Sequence, residues 1–365
     1  MLHGILRLTE FRLIKDPSKN NFDLLRLLFA LFVIFSHSYA LLVLPEPLSH
    51  LTGGVLSQHG VNGFFFISGL LIAQSWMRGP YLFRFAWKRF LRIFPGLAAS
   101  VLFAILVIGP LTTTLPLLDY LLNPRTVEYL KHNLALYKVR FYLPGVFEDN
   151  PFKFAVNGSI WTMPYEVLMY GVVALLGVLG ALKGPHWALV MVVVLLAVEA
   201  FAAGEPAFKE VVFCDILLNQ LVTLGTFFLL GVVSAFFLGR IRVSVLAVFL
   251  IPLLITWYPV SKITWYFLFS YWTLCAAYAL PAYLHKTASK IDISYGMYIY
   301  AFPIQQTLIH FAYPILSPIG LFLVSTFCTL PVAMLSWIFL ERPALSLKAL
   351  TTKEPRRLFP SFGQS

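Results

Sequence analysis

Long apolar runs separated by short polar segments dominate the chain. A helix that crosses a bilayer needs about 20 mostly apolar residues, and ten runs approach that length. They cover residues 24–44, 60–77, 93–110, 160–182, 187–203, 212–238, 243–258, 264–284, 293–313 and 316–340. The fifth and seventh runs are the shortest. The pattern predicts an all-α, polytopic membrane protein, a bundle of about ten transmembrane helices.

The polar segments between these runs carry unequal charge. If the N-terminus lies inside, 20 of the 27 lysines and arginines fall on the inner side. Cytoplasmic segments of membrane proteins carry such an excess of positive charge. With ten crossings, the same arrangement puts the C-terminus inside as well. We therefore expect both termini to be cytoplasmic.

The composition excludes most other classes of protein. Apolar residues make up 59% of the chain and charged residues 12%, against roughly 45–50% and 25% in soluble proteins. Too few polar side chains remain for a soluble protein, a disordered chain or a nucleic-acid binder, despite the net charge of +11. The cysteines, Cys214, Cys275 and Cys328, are widely spaced and predict neither a disulfide framework nor a metal site.

The apolar runs define one transmembrane domain, over residues 21–343. We expect residues 1–20 to form a cytoplasmic segment at the membrane surface and residues 344–365 to form a cytoplasmic tail. The connection 111–159 lies on the outer side and is long. Loops of more than about 15 residues are usually functional or disordered. Its many aromatic residues favour an ordered outer cap.

Ionisable side chains within the first apolar run are candidates for function, because they are costly in a bilayer. Arg26 and His37 are eleven positions apart, roughly 20° past three full helical turns, so they share one face and lie about 16 Å apart along it. Asp23 precedes Arg26 by three residues and can pair with it. The structural alternative is that Arg26 extends to the membrane surface and that His37 bonds a neighbouring carbonyl.

Glu166, in the fourth run, is a second candidate. Its distance from the outer end of that run matches the depth of His37, so the carboxylate could orient the imidazole for general-base chemistry. Ser68, Gln305 and Gln306 lie at similar depth and could complete a polar chamber. Each of these residues has an alternative role as a hydrogen-bonding contact between helices.

A basic cluster precedes the third run on the cytoplasmic side. It contains Lys88, Arg89 and Arg92, and guanidinium groups suit phosphates. Anchoring against anionic lipid explains the cluster equally well. Glu341 lies at the inner end of the last run, where it could pair with Arg26 or with this cluster, or form an ordinary salt bridge.

Five motifs resemble the membrane-bound acyltransferase-3 family, and the fourth of them, from Leu143 to Glu166, is similar to its exopolysaccharide-type branch. They are Asn21 to Arg26 followed by His37; His59 to Gly69; Lys88 to Pro95; Leu143 to Phe147 with Asn150, Pro151 and Val156 to Glu166; and Phe339 to Pro343. The motifs have the order and spacing of the family and span nearly the whole chain.

The resemblance implies a ten-helix bundle that moves an acyl group, usually acetyl, from cytoplasmic acyl-CoA to a hydroxyl of a surface or exported glycan. It implies that His37 is the catalytic base with Arg26 beside it, and that Arg89 and Arg92 hold the CoA phosphates. Acyl-CoA is then a co-substrate, with no separate cofactor. The other expected partners are a carbohydrate or glycolipid acceptor and membrane lipids. The implied location is the bacterial inner membrane, and the implied role is O-acetylation in polysaccharide biosynthesis.

In this hypothesis, the outer loop and the region of Trp161 and Tyr165 hold the acceptor. One position departs from the family, since Ala301 stands where many members have histidine. The alternative function is a transporter or flippase of a lipid-linked sugar that uses the same polar chamber. Broken helices in mirrored halves, which would support a transporter, are not found in the sequence.

Overall fold

The structure is a computed structural model that describes residues 10–348, except 203, 214, 259 and 281–291. Helices dominate these residues. The first are α1 (Phe22–Ala40), α2 (Leu56–Met77) and α3 (Leu82–Phe103), and α3 continues through a π-helical turn (Ala104–Ile108) to Thr112. Next come α4 (Leu117–Leu121), α5 (Pro124–Ala135), α6 (Met163–Val178), α7 (His186–Ala202) and α8 (Leu218–Phe237). The last are α9 (Val245–Trp257), α10 (Lys262–Tyr278), α11 (Ser294–Ala312) and α12 (Pro318–Ser336), and α12 continues to Ser346.

A described helix lies in each of the ten predicted apolar runs. Among them α1, α2, α3, α6, α8 and α12, with their extensions, are long and apolar enough to cross a membrane. Helices α7 and α9 are apolar but shorter, as their short runs predicted. The all-α, multi-pass class is thus confirmed, while the count of ten crossings and the sidedness of the termini stay predictions.

Two small antiparallel sheets accompany the helices. Strand β1 (Arg12–Leu13) pairs with β4 (Arg242–Val243), which ties the N-terminal segment to the connection between α8 and α9. Strand β2 (Val211–Phe213) pairs with β3 (Ile216–Leu217). The prediction that a helix starts at residue 212 was therefore wrong. Asp215, between these strands, has a φ of 63°, a left-handed conformation that does not continue a helix.

Helix α2 makes its closest contacts with α8 and α1. Glycines lie at these contacts, and because they have no side chain the helix backbones approach each other closely. A Cβ atom at Gly69 would overlap the carbonyl oxygen of Phe228, and one at Gly231 would overlap that of Phe66. Small residues let helix backbones approach in this way within membranes, where packing rather than the hydrophobic effect holds helices together. The contact fixes α2 within the bundle, where its polar residues His59 and Asn62 are buried.

The long connection between α3 and α6 is an ordered cap. It contains α4 and α5, and the side chains of Tyr120, Tyr129 and Phe147 are fully buried in it. The hydroxyl of Tyr120 donates to the carbonyl of Ile105, 3.0 Å away, and thereby holds the cap on α3. Three of the aromatic residues that predicted order are thus buried anchors of the cap.

The last part of this connection descends along α11 before α6 begins. Asn150 donates to the Gln306 carbonyl at 2.9 Å, and Asn157 donates to the Ile299 carbonyl at 2.8 Å. The hydroxyls of Thr162 and Tyr298 are 2.8 Å apart. From Gln306 to Tyr298 the helix rises about 12 Å. Helix α6 therefore starts deep inside the bundle and not at its outer surface.

Candidate active site

A cavity with about 870 Å³ of unfilled space, counting its open mouth, lies among α1, α2, α3, α6 and α11. Its charged lining residues are Arg26, Arg89, Arg92 and Glu166, and we call it the arginine chamber. Ser68, as predicted for a polar chamber, also lines it. Among the described residues, no group of three or more His, Cys, Asp or Glu side chains could hold a metal ion.

Asp292 joins two of the three arginines. Its Oδ2 atom lies 2.7 Å from Nη1 of Arg26 and 2.7 Å from Nη2 of Arg92. The predicted pair of Asp23 and Arg26 is also present, at 3.3 Å. Burial alone would raise the pKa of Asp292, but the two guanidinium groups and the hydroxyl of Ser294 outweigh burial and hold this pKa well below its usual range. Asp292 is therefore an anion that fixes both guanidinium groups at the wall of the chamber.

Arg89 has a different environment. It forms no ion pair within the described part of the chain; its guanidinium lies 5.7 Å from the ring centre of Tyr170, and its Nε atom has no hydrogen-bond partner. Lys348 lies near the same end of the chamber, and burial together with Arg89, Arg92 and Lys88 lowers the pKa of its ammonium to about 8. This end of the chamber is therefore strongly positive and suits an anion.

Glu166 lies with the arginines and not beside His37. Its carboxylate lines the chamber and accepts a hydrogen bond from the hydroxyl of Tyr170. No hydrogen bond joins Glu166 to His37 among the described residues, so the predicted contact is absent. The prediction assumed that the fourth apolar run starts at the outer surface and measured the depth of Glu166 from there. The chain has instead already descended along α11 before α6 begins.

His37 lies farther along α1 than the chamber. It shares a face with Arg26 at a distance of about 16 Å along the axis, and its ring contacts that of Phe302 edge-on, with centres 5.1 Å apart. Its Nδ1 atom is buried and has no hydrogen-bond partner within the described part of the chain. Phe64 and Tyr298, whose ring centres are 5.6 Å apart, line the chamber on the side toward His37.

The two glutamines predicted to complete the chamber hold other segments in place. Gln305 donates to the Ile34 carbonyl at 2.9 Å and to the Ser38 hydroxyl at 2.8 Å, which ties α11 to α1. Gln306 donates to the carbonyls of Phe152 and Ala155 in the descending segment. Both glutamines therefore have the alternative role considered in the sequence analysis, which is hydrogen bonding between segments.

Trp161, Tyr165 and Glu341 also lie outside the lining of the chamber, as do Lys88 and Asp23. The Tyr165 hydroxyl accepts from the Leu217 backbone at 2.8 Å, and the Trp161 ring packs edge-on against that of Tyr165. Glu341 is buried and accepts from the Ser336 hydroxyl at 2.9 Å. Within the described part of the chain, Glu341 forms no ion pair with Arg26 or with the basic cluster.

The family model described as an acyltransferase domain of the acyltransferase-3 type matches residues 19–338. The chain belongs to the acyltransferase-3 family. An O-acetyl transferase of Shigella phage Sf6 is 29% identical over 346 residues, which cover 90% of this chain and 96% of the phage protein. Nodulation protein 10 of Rhizobium leguminosarum bv. viciae is 30% identical over 374 positions, which cover 93% of this chain and 96% of that protein. No solved structure matches this acyltransferase significantly.

The resemblance inferred from the motifs is thus confirmed, and the protein is a membrane-embedded acyltransferase of groups other than aminoacyl groups. The structure also explains the departure at Ala301. This side chain is buried in a cluster with Ala30, Ile34, Met297 and Ala333. In this acyltransferase, close packing of α1, α11 and α12 occupies the space that an imidazole would need.

Asp292 is the carboxylate of this acyltransferase site that the sequence interpretation missed. It lies between two predicted runs, so it was not counted among the costly residues within them. The sequence did contain a signal. Asp292 is an acid in a predicted inner connection that is otherwise basic, with Lys286 and Lys290 just before it, and Glu341 was noticed for the same reason.

Proposed function

We propose that this acyltransferase moves an acyl group, acetyl by preference, from cytoplasmic acyl-CoA to a hydroxyl of a surface or exported glycan, with His37 as the general base. The observation that carries the proposal is the placement of the arginine chamber and His37 along one face of α1. An anion-binding group and a proton acceptor lie about 16 Å apart along this face. This separation matches the distance between the two ends of the extended arm of acyl-CoA.

The arginine chamber holds the donor in this proposal. The phosphates of acyl-CoA lie against Arg89 and Arg92, whose planar guanidinium groups form paired hydrogen bonds to phosphate oxygens. Lys88 and Lys348 add positive charge near the same end. Arg26 stays with Asp292 and Asp23 and keeps the wall of the chamber in position.

The pantetheine arm then extends along α1 toward His37. Phe64 and Tyr298 lie on this path, because Phe64 packs against the cluster of Ala30 and Ile34, which α1 places between Arg26 and His37. These rings must separate or tilt to let the thioester pass. When no donor is bound, these rings separate the arginine chamber from His37.

The reaction is a direct transfer. The acceptor oxygen attacks the thioester carbonyl carbon, and His37 takes the hydroxyl proton through the nitrogen that has no protein partner. The C–S bond then breaks, and the CoA thiolate recovers the proton from the imidazolium. The products are an O-acyl ester and free CoA, with no covalent enzyme intermediate. Glu166 and Tyr170 act within the donor chamber, where their hydrogen bond places a carboxylate among the arginines.

The nature of the acceptor rests on two supports. A relative is named an O-acetyl transferase, which supports transfer of acetyl to oxygen, and the motifs from Leu143 to Glu166 resemble the exopolysaccharide-type branch. We therefore propose a role in polysaccharide O-acetylation at the bacterial inner membrane, with both termini in the cytoplasm.

The deciding test is the substitution His37→Ala in the full-length protein in lipid nanodiscs. Thiol release from acetyl-CoA is measured with and without a glycan extract from the source organism. We expect acceptor-stimulated release from the wild type and its complete loss in the variant, because no other base would take the proton. His186→Ala, at an exposed site on α7, is the matched control and retains activity. Substantial transfer by His37→Ala, or a wild type that fails to bind acetyl-CoA, would contradict the proposal.

A further inference from the structure

A second cavity lies at the end of the bundle opposite Arg26. It has about 1,290 Å³ of unfilled space, counting its open mouth, and shares no lining residue with the arginine chamber. Five aromatic side chains line it, Phe227, Trp257, Tyr258, Trp265 and Tyr266, and we call it the aromatic cleft. It is formed where α2 and α10 begin and α9 ends, and the Thr256 hydroxyl donates to the Leu51 carbonyl at 2.9 Å beside it.

The cleft is close to neutral. Lys262 is the one lysine or arginine among its described lining residues, and its ammonium lies 2.9 Å from the carboxylate of Glu199. That carboxylate is buried and also accepts from the Tyr266 hydroxyl at 3.0 Å. A phosphate or an anionic lipid headgroup prefers unpaired cations, so this lining favours an uncharged ligand.

Two hydrogen-bond acceptors beside the cleft have no partner. His59 and Asn62, which line it, are only 6% and 2% exposed. The Nε2 atom of His59 lies 3.0 Å from the Thr52 carbonyl, which can only accept, so Nε2 carries the hydrogen and Nδ1 is an acceptor in the neutral ring. Among the residues that the structure describes, neither this Nδ1 atom nor the Asn62 Oδ1 atom has a hydrogen-bond partner. Buried acceptors are normally paired, and ligand hydroxyl groups would pair them.

We propose that the aromatic cleft binds sugar rings of the acceptor, which pack their C–H faces on Trp257 and Trp265 and donate hydroxyl hydrogens to His59 and Asn62. Concave sites lined by aromatic rings with a few placed polar groups are typical of small-molecule binding. The inference rests on the proposed function in one respect, that the acceptor is a carbohydrate. It moves the acceptor away from the region of Trp161 and Tyr165.

The position of the cleft relative to His37 sets a minimum size for the acceptor. Ser57, the residue before Gln58 of the cleft, donates its backbone N–H to the Ser36 hydroxyl at 2.6 Å, and Ser36 is next to His37. The cleft and His37 thus lie at the same end of the bundle, on opposite sides of the contact between α1 and α2. An acceptor that occupies the cleft and reaches His37 contains more than one sugar unit.

The test compares Trp257→Leu with Trp187→Leu in full-length protein in nanodiscs. Both tryptophans are exposed, 74% and 59% respectively, but Trp187 lines neither cavity. We expect Trp257→Leu to raise the KM for the glycan extract at least tenfold and to leave the KM for acetyl-CoA unchanged, and we expect Trp187→Leu to change neither. His59→Gln is a second variant with the same expectation, and its thermal unfolding is recorded because His59 is buried.

Saturation-transfer NMR with the same glycan extract provides a readout that does not depend on acyl transfer. Sugar-ring signals that are present for the wild type and lost in Trp257→Leu would support the cleft even if the wild type transferred no acetyl, an outcome that would contradict only the proposed function. An unchanged glycan KM with unchanged NMR signals in both variants would overturn the inference. So would a parallel rise in the KM for acetyl-CoA in Trp257→Leu, because the cleft would then act only through the fold.

Discussion

At the scale of single residues, one carboxylate distinguishes the arginines of the chamber. Asp292 ties Arg26 and Arg92 in place at 2.7 Å each, whereas Arg89 lies against aromatic rings with its Nε atom unpaired. A phosphate that enters the chamber must compete with Asp292 for Arg92 but meets no such competitor at Arg89. Donor binding and the stability of the fold should therefore depend on different residues.

The first prediction concerns Arg89. We expect Arg89→Gln to weaken acetyl-CoA binding by about tenfold or more, because it removes a charge-assisted contact worth roughly 1.5–3 kcal/mol, and to change the unfolding temperature little. Calorimetric titration with acetyl-CoA measures the affinity. Arg84→Gln, one helical turn earlier and outside the chamber lining, is the control. Equal affinities in the two variants would argue against the phosphate role of Arg89.

The second prediction concerns Asp292. Asp292→Asn leaves two guanidinium groups close together without their shared anion, and we expect it to destabilise the protein by about 1–3 kcal/mol, less than the 3–5 kcal/mol typical of a fully buried pair. Because the pKa of Asp292 is lowered in the folded protein, its contribution is complete above the ordinary carboxyl pKa of about 3.9 and is lost as the pH falls toward the lowered value. The difference in unfolding temperature from the wild type should therefore be constant near neutral pH and shrink in acid. Asp119→Asn, at an exposed position, should cause no such change.

The sequence predicted which residues line the chamber more successfully than it predicted which side chains form ion pairs there. Arg26, Arg89, Arg92, Glu166 and Ser68 were all named, because charged or polar side chains are conspicuous in apolar surroundings. Their distant partners were not, since a pair such as Arg26 and Asp292 is separated by 266 positions, whereas Asp23, three positions before Arg26, was named. No helical period or spacing rule connects residues so far apart.

At the scale of elements, prolines within helices determine where neighbouring segments attach. Pro303 in α11 lacks the N–H that would bond the Ile299 carbonyl, and Asn157 donates to this carbonyl instead. Pro252 in α9 leaves the Val248 carbonyl free in the same way, and the Trp272 indole donates to it at 3.1 Å. In a membrane such freed groups must be satisfied by neighbouring segments.

The third prediction tests the link between Asn157 and Pro303. We expect Asn157→Ala to destabilise the protein by about 1–3 kcal/mol, because it leaves the buried Ile299 carbonyl unpaired. In a Pro303→Ala background the same substitution should cost less, because residue 303 then supplies the missing N–H. Thermal unfolding of the four proteins gives the coupling energy. Some loss should remain, since Asn157 also accepts from the Ser159 backbone at 3.1 Å. Equal costs in both backgrounds would contradict the link.

The hydrogen bond between Asn157 and α11 shows why the sequence predicted some elements and not others. Apolar runs located a helix in every predicted place, because a helix in lipid needs only its own apolar residues. The descent of residues 150–162 has no such pattern, since it depends on Asn150, Asn157 and Thr162 bonding to α11. The predicted contact of Glu166 with His37 was absent for this reason alone.

At the scale of the whole molecule, the two parts of the site, the arginine chamber and His37, lie toward opposite ends of the bundle. The arginine chamber lies at the end where β1 pairs with β4, and His37 lies toward the end where Gln306 holds the last part of the cap. The charge pattern predicts that the first end is cytoplasmic. Donor and acceptor would then arrive from opposite sides of the membrane and meet at His37.

The last prediction concerns this sidedness. Inverted vesicles, with the Arg26 end outward, should acetylate trapped glycan when radiolabelled acetyl-CoA is added outside, because the charged nucleotide reaches the chamber directly. Right-side-out vesicles should need acetyl-CoA trapped inside, because the nucleotide does not cross the bilayer. Orientation is verified with Lys153→Cys and Gly239→Cys, each in a background where serine replaces the native cysteines. An impermeant maleimide should label only Lys153→Cys in right-side-out vesicles and only Gly239→Cys in inverted ones. Transfer from external acetyl-CoA in sealed right-side-out vesicles would mean that the donor enters from the side of His37, and the path along α1 from Arg26 would then be wrong.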